Sequence, residues 1–209
     1  MNYIHRKIEQ TELNGESMKE IIKLPIPQTE LTYPLMQALA QRRSIRRWDE
    51  KPISLQDVSN LLWAAFGFNR PEEGKRTAPS AVNWQEIDIY VALADGLYLY
   101  DAKAHRLIGV LAKDIRAQTG TQAFVKDAPV NLIYVADFSR INREEEKDKI
   151  FYSATDTGFI SQNVYLFCAS EGLATVVRGL VDKIALAKVM KLRPDQRVIL
   201  AQSVGFSKE

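Results

Sequence analysis

Residues 149–171 set the first limit on the fold of this chain. Ile150, Phe151, Ile160, Val164, Tyr165, Phe167 and Cys168 recur there on more than one face, and Gly172 supplies a stop. A surface helix shows one apolar stripe; a helix apolar on several sides must be covered on several sides. In a chain of 209 residues, that points to a partner subunit as well as an internal core. The segments before and after it read largely as strands. Ile87, Ile89, Val91 and Leu93 alternate, which predicts a half-buried strand over 86–94. Asp95-Gly96 marks a hairpin. Strands continue over 97–101 and 106–111, with a turn at 102–105. Residues 130–136, entered through Pro129, and 173–177 and 197–204 read as further strands. Hairpins mixed with helices argue for an α+β fold and against a doubly wound one.

Four further helices are predicted. Residues 34–41 begin with Pro34 in the first turn, where proline is tolerated. Ser54 is a candidate N-cap for a helix whose apolar positions run from Leu55 to Phe66, with Gly67 as its stop. Asp182 caps a helix through Met190, and a short helix over 113–118 is closed by Gly120. Residues 68–78 read as a polar loop and 138–148 as a charged loop. Residues 1–30, broken by Pro25 and Pro27, read as an irregular arm before a single domain over 31–209.

Composition narrows the chemistry. The net charge is only +2, so nucleic acid is not an expected partner. The single cysteine, Cys168, excludes a disulfide framework and a cysteine-based metal site within the chain. In its apolar setting it reads as core packing. His5 and His105, the only histidines, lie far apart, which argues against a histidine metal site or a Ser-His-Asp triad. No run approaches the ~20 apolar residues of a membrane span, and no apolar signal core opens the chain. The expected location is the cytoplasm, without membrane contact.

Against this ordinary background stand four arginines in the run Arg42-Arg43-Ser44-Ile45-Arg46-Arg47, followed by Trp48. Guanidinium groups bind phosphate oxygens in bidentate fashion, so the run suits a phosphate dianion. Pro79-Ser80-Ala81-Val82-Asn83-Trp84-Gln85 offers a turn, a hydroxyl and two amides, a set fit for the edges of a polar heterocycle. Each has a plainer reading when taken alone: a solvated basic patch and a simple turn. Trp48, Trp63 and Trp84 read as core or interface, the Tyr98/Tyr100 hairpin as packing, and Gly158 as a place of close approach, most readily by a helix.

Taken together, the segments resemble the FMN-dependent nitroreductase family. Residues 42–48 resemble its Arg-x-Ser-x-Arg/Lys-x-aromatic motif, and residues 79–85 its Pro-Ser-x-x-Asn-x-Gln loop. Asp156-Thr157-Gly158 with Gln162-Asn163 resembles its central helix, and residues 172–179 the strand and turn that bring backbone amides to the flavin. The match covers roughly 34–206. Residues 96–101 are also similar to a hairpin of the azoline-oxidase branch. The resemblance implies a mixed, mainly antiparallel sheet flanked by helices in an intimate homodimer. It implies FMN held by Arg42, Ser44 and Arg46 at the phosphate and ribityl chain, with Arg43 contributing only its backbone. Pro79, Ser80, Ala81, Asn83 and Gln85 would lie by the ring system, Pro79 and Ser80 serving the neighbour's flavin. Val177 and Gly179 would bring backbone to the flavin, with the Gly179 N–H near N5.

The implied activity is hydride transfer from NADH or NADPH through flavin N5 to a small-molecule acceptor, a nitroaromatic, a quinone or a similar flat electrophile. The alternatives are dehydrogenation of the azoline-oxidase type and flavin binding with little turnover. Two departures from the family pattern stand out. Arg178 occupies a position where many relatives carry an acid, so a cation is expected at the flavin's face or edge unless it turns to solvent. A basic pair that relatives often carry beyond the segment matching Val204-Gly205-Phe206 has no counterpart, and Lys208 does not match it. The arginine run is therefore expected to carry more of the phosphate charge.

Overall fold

The computed structural model describes residues 20–30 and 32–208. Its frame is a seven-stranded sheet: β1 (Ile21–Lys23), β4 (Ile87–Leu93), β5 (Gly96–Asp101), β6 (Arg106–Leu111), β7 (Val130–Asp137), β8 (Leu173–Arg178) and β9 (Gln196–Phe206). They lie in the order β1-β6-β5-β4-β7-β9-β8. A separate ribbon pairs β2 (Phe68–Arg70) with β3 (Lys75–Arg76). The helices are α1 (Leu35–Gln41), α2 (Leu55–Phe66), α3 (Glu146–Ser170) and α4 (Lys183–Val189).

Among the described residues every strand pairing is antiparallel, which corrects the expectation of a mixed sheet. The reason lies in the crossover through α3. It joins β7 to β8, which run in the same direction, but β9 inserts between them and pairs antiparallel with both.

Two cores form on the two faces of the sheet. On one, Leu61, Leu62 and Phe66 of α2 and Ile160 and Val164 of α3 pack on Ile87, Ile89, Val91 and Leu132. On the other, Leu186 and Met190 pack on Tyr90, Ala92, Ile133 and Val135. Strand β4 is therefore buried on both faces along most of its length, not half-buried, because α4 covers the side expected to face water. A fully buried Leu, Ile or Phe contributes roughly 1.5–3 kcal/mol, so this double burial fixes the central strands firmly.

Local signals explain most boundaries. Ser54 and Asp57 form a reciprocal capping box: the Ser54 hydroxyl accepts from the Asp57 N–H at 3.1 Å, and the Asp57 carboxylate accepts from the Ser54 N–H at 3.3 Å. Gly172 ends α3 in the left-handed region at φ 66°. Asp182 accepts from the Ala185 N–H at 3.0 Å to open α4.

Four readings need correction. Residues 68–78 are not a plain loop, since β2 and β3 pair there around Gly74 at φ 63°. The segment expected as a helix over 113–118 is a single 3₁₀ turn at 116–119. Part of the expected charged loop is the first turn of α3, which begins at Glu146 and keeps its charges in water. Residues 21–23 of the expected irregular arm are a strand on β6, and Pro25 and Ile26 accept hydrogen bonds from Ser59 and Gln56 of α2. Residues 1–19 of that arm lie outside the described residues.

The far end of β9 closes onto the arginine segment. Trp48 bridges to Ser207, the Asp49 N–H donates to the Phe206 carbonyl at 3.0 Å, and the indole packs on Phe124 at 5.4 Å. Gly205 makes room for it, because a Cβ there would stand 2.2 Å from Trp48 Cδ1 and 2.7 Å from Pro129 Cδ. Overpacking of this kind costs about 1–3 kcal/mol. Gly205→Ala is expected to lower the free energy of unfolding by that amount, measured by urea denaturation. Full stability in the variant would show that Trp48 can move aside.

Candidate functional site

Among the described residues, strand β8 pairs with β9 along one edge only. Its other edge is where the arginine run is held. The Ile45 N–H donates to the Thr175 carbonyl at 3.0 Å. The Ser44 hydroxyl lies 2.7 Å from the Tyr165 phenol oxygen, which accepts from the Val177 N–H at 3.0 Å. Arg42, at the C-terminus of α1, lies over the Tyr165 ring at 5.3 Å. Arg43, Ser44 and Arg46 are exposed. Among the described residues, Arg42, Arg43 and Arg46 have no carboxylate partner, so their charge is available to a ligand. A cavity of about 330 Å³ opens beside them, lined by Gln41, Arg43, Ile45, Tyr165, Leu173 and Thr175 among others. Cations without counter-charge beside a hydroxyl and a cavity fit the phosphate end of a cofactor.

The second predicted segment is a strained loop. Val82, Asn83 and Gln85 all have positive φ, at 52°, 58° and 50°. Non-glycine residues seldom adopt this region, and clusters of them mark sites where the surroundings enforce the shape. Here the enforcing contacts are visible. The Ala81 N–H donates to Asp156 Oδ2 at 2.8 Å, and the Gln85 N–H to the Ser80 hydroxyl at 3.0 Å. The Gln85 side chain accepts from Arg76 Nε at 2.7 Å and donates to the Gly74 carbonyl at 2.6 Å and to Asn83 Oδ1 at 3.1 Å. Arg140 donates to the Gln85 carbonyl at 2.8 Å. Gln85 is thus a brace within the loop, while Pro79, Val82 and Asn83 face outward.

Helix α3 holds both segments, but not together. Asp156 and Tyr165 are nine residues apart. At 1.5 Å and 100° per residue they stand about 13 Å apart along the axis and on opposite sides of the helix. The arginine run and the 79–85 loop therefore stand apart on this chain. Between them α3 exposes a stripe at helical spacing, Phe151, Ala154, Thr155, Gly158, Phe159 and Gln162. Phe151 is 64% and Phe159 45% exposed, and among the described residues nothing beyond the helix's own backbone lies within 4 Å of a Cβ added at Gly158. On α1, Leu35 and Met36 are also exposed, at 60% and 74%.

Arg178 is the clearest correction at residue level. Its side chain is not at the open end of the site but is buried on the opposite face of β8. It donates to the Thr119 carbonyl at 2.7 Å, to the Thr119 hydroxyl at 3.3 Å and to Asn131 Oδ1 at 2.9 Å. Burial pushes the guanidinium down to about 10. Gly120 is shaped around it: a Cβ there would lie 2.1 Å from Arg178 Nη1. The reason is strand alternation, which turns Arg178 away from the side that Val177 presents to Tyr165. Gly179, just past the strand, is exposed and open, with Leu200 Cδ2 at 3.7 Å the nearest atom to an added Cβ.

Sequence reasoning missed the parts played by Tyr165 and Asp156. Tyr165 read as one more apolar position in a helix, and nothing in its spacing reveals what its hydroxyl touches. It also missed Glu86, which lies next to the braced loop and is fully buried. Neither Glu86 oxygen meets a well-formed hydrogen bond, and the carboxyl faces that of Asp156. Burial, reinforced by that neighbour, pushes Glu86 up to about 7; burial raises Asp156 as well.

The family model of the nitroreductase family matches residues 39–206. A solved structure of a candidate nitroreductase from Ralstonia eutropha JMP134 is 41% identical, superposes with a TM-score of 0.87, and is covered to 97% by 96% of this chain. A candidate nitroreductase of Methanocaldococcus jannaschii is 29% identical over 186 residues, 84% of this chain and 93% of that protein. An FMN reductase [NAD(P)H] of Bacillus subtilis is 24% identical over 159 residues, 70% of this chain and 54% of that longer protein.

The Glu86–Asp156 pair generates a pH prediction. A carboxyl raised in the folded state adds stability that is complete below its unfolded value and is lost as pH rises through the folded one. For Glu86 the window runs from 4.5 to about 7. His105, pushed down by burial, acts with the opposite sign, so the informative quantity is a difference between two proteins. Relative to wild type, Glu86→Gln is expected to gain on the order of 2–3 kcal/mol between pH 5 and pH 8. Parallel stability curves for the two proteins in chemical denaturation would show that the pair holds no proton.

Proposed function

The chain belongs to the nitroreductase family, and we propose that it is an FMN-dependent oxidoreductase. In this reading it takes hydride from NADH or NADPH and, in a second half-reaction, passes it to a nitroaromatic, a quinone or a similar flat electrophile. The observation that carries the reading is the arginine run. Arg42, Arg43 and Arg46 stand beside the Ser44 hydroxyl and a cavity, without carboxylate partners among the described residues. The FMN reductase [NAD(P)H] among the relatives supports the choice of cofactor and donor.

FMN, when bound, supplies the two-electron chemistry. The work left to the protein is binding, orientation and exclusion of water. Arg42, Ser44 and Arg46 bind the phosphate, and Arg43 closes the cavity wall. The braced loop presents Pro79, Ser80, Ala81 and Asn83 at a fixed angle, with Gln85 locking its backbone. At the end of β8, Val177 and Gly179 bring main chain to the ring system, and the open surroundings of Gly179 suit close approach. Arg178 belongs to the support beneath that strand. The acceptor site is shaped by these groups and needs no acid–base side chain.

We infer that the working unit is a homodimer. The exposed stripe on α3, open at Gly158, and the exposed leucine and methionine of α1 form a surface that a second copy would cover. Gly158 and Tyr165 lie seven residues apart on α3, two turns along one side. A copy packed over the stripe therefore comes beside the arginine run and can bring its own 79–85 loop there.

Protein denatured after purification is expected to release FMN. Arg42→Ala and Arg46→Ala should each weaken rebinding by about 1.5–3 kcal/mol, the range for hydrogen bonds to charged groups. Apoprotein that binds FAD more tightly than FMN, or neither, would remove the reading. Gly158→Leu places a bulky side chain in the middle of the stripe. Sedimentation should show it as a monomer that has lost its flavin; a flavin-loaded dimer would place the interface elsewhere.

A further inference from the structure

We propose that Tyr165 is a positioning residue for the phosphate half of the site, setting the direction in which the Ser44 hydroxyl donates. The assignment rests on the FMN reading above and adds to it a residue from the helix behind the motif.

The geometry fixes the order of the hydrogen bonds. The Val177 N–H can only donate, and it points at the Tyr165 oxygen from 3.0 Å. Val177 lies on the outer edge of β8, which pairs with no strand among the described residues. The phenol is buried and must place its own proton. The acceptor beside it is the Ser44 oxygen at 2.7 Å. With the phenol donating to it, Ser44 keeps its own proton free to turn outward. The chain then runs from backbone amide to phenol to serine to an anionic oxygen, every member donating in one direction. Hydrogen bonds aligned in this way polarise and strengthen one another.

The same side chain orders the motif in one more way, and the strand edge adds a separate tie. Arg42 lies over its ring at 5.3 Å, a cation–π distance that holds the guanidinium over the helix. The next residue of the run, Ile45, is tied by its N–H to Thr175 on the same strand edge. Ser44 and Ile45 are thus pinned to β8 by neighbouring contacts, one through Tyr165 and one through the backbone. Without the phenol oxygen only the backbone contact remains, the Val177 N–H loses its acceptor, and the Ser44 hydroxyl is free to rotate.

Tyr165→Phe keeps the ring, its packing and the contact with Arg42, and deletes only the oxygen. The affinity for FMN should fall about tenfold, equivalent to 1.4 kcal/mol. Ser44→Ala, a change at an exposed position, should produce a similar fall. The double variant should lose about tenfold as well, not a hundredfold, because both changes break one chain. Affinity for riboflavin, which lacks the phosphate, should be unchanged in all three. That readout separates a positioning role from general loosening of the site, which would weaken both flavins alike. Additive losses in the double variant, equal losses for riboflavin and FMN, or full FMN affinity in Tyr165→Phe would each overturn the assignment while leaving the flavin reading intact. A wild-type protein that binds no FMN would overturn both.

Discussion

Helix α3 is the member on which the rest of the site depends. It crosses between β7 and β8 and offers a polar group to each neighbour in turn. Asp156 anchors the strained loop through the Ala81 N–H. Asn163, two turns on, donates to the Ala64 carbonyl at 3.1 Å near the end of α2. Tyr165 reaches the outer edge of β8 and the arginine run. A rotation of α3 by one residue, about 100°, would break all three contacts at once. The helix is held against this by Ile160, Val164 and Cys168, which fill the core below it. Packing of apolar groups on one side of α3 thus determines where polar groups stand on the others.

The arginines of this chain fall into two physical classes. Those of the 42–46 run keep their charge at or near the surface, without counter-ions among the described residues. Arg76, Arg140 and Arg178 are drawn inward and spend their donors on the protein itself. Arg76 lies over Phe66 and Phe68, bonds to Gln85 and the Phe66 carbonyl, and is pushed down to about 10 by burial. Arg178 has carbonyl and hydroxyl oxygens as partners in place of a carboxylate. A buried guanidinium is tolerable only when its protons are met, and Thr119 and Asn131 meet most of them. Asn131 also accepts from Ser203 at 2.5 Å and donates to Val125 at 3.0 Å, so removing Arg178 would disturb a network as well as a charge.

Legibility in the sequence follows the range of the interaction. Helix α2 can be read because its signals are local: Ser54 and Asp57 are three residues apart and the apolar spacing is regular. The β4–β5–β6 meander is equally plain, since each turn joins adjacent strands. Strand β1 escapes notice because three residues carry no period, and they are strand only by virtue of β6. The β2–β3 ribbon hides in a segment rich in charge, proline and glycine. The position of the arginine run and of the 79–85 loop is legible through family resemblance, but the direction of a single side chain is not. The partners of Arg178 lie 59 and 47 residues away in sequence, and only the register of β8 on β9 decides which face it joins. The same limit applies to Tyr165, whose spacing marks it as core while its oxygen does something else.

The placement of β9 between β7 and β8 has a consequence for how the molecule is made. On a ribosome, β4, β5, β6 and β7 can pair as they emerge, each finding its neighbour already present. Strand β8 cannot join the sheet when it emerges, because the strand that must separate it from β7 has yet to be synthesised. Until residues 196–206 are free, the edge that holds Ser44 and Ile45 does not exist, and the arginine run emerges long before it has anywhere to dock. If the chain holds FMN as proposed, capture of the cofactor would follow translation of β9, and a nascent chain halted before it would carry five of the seven strands and no site.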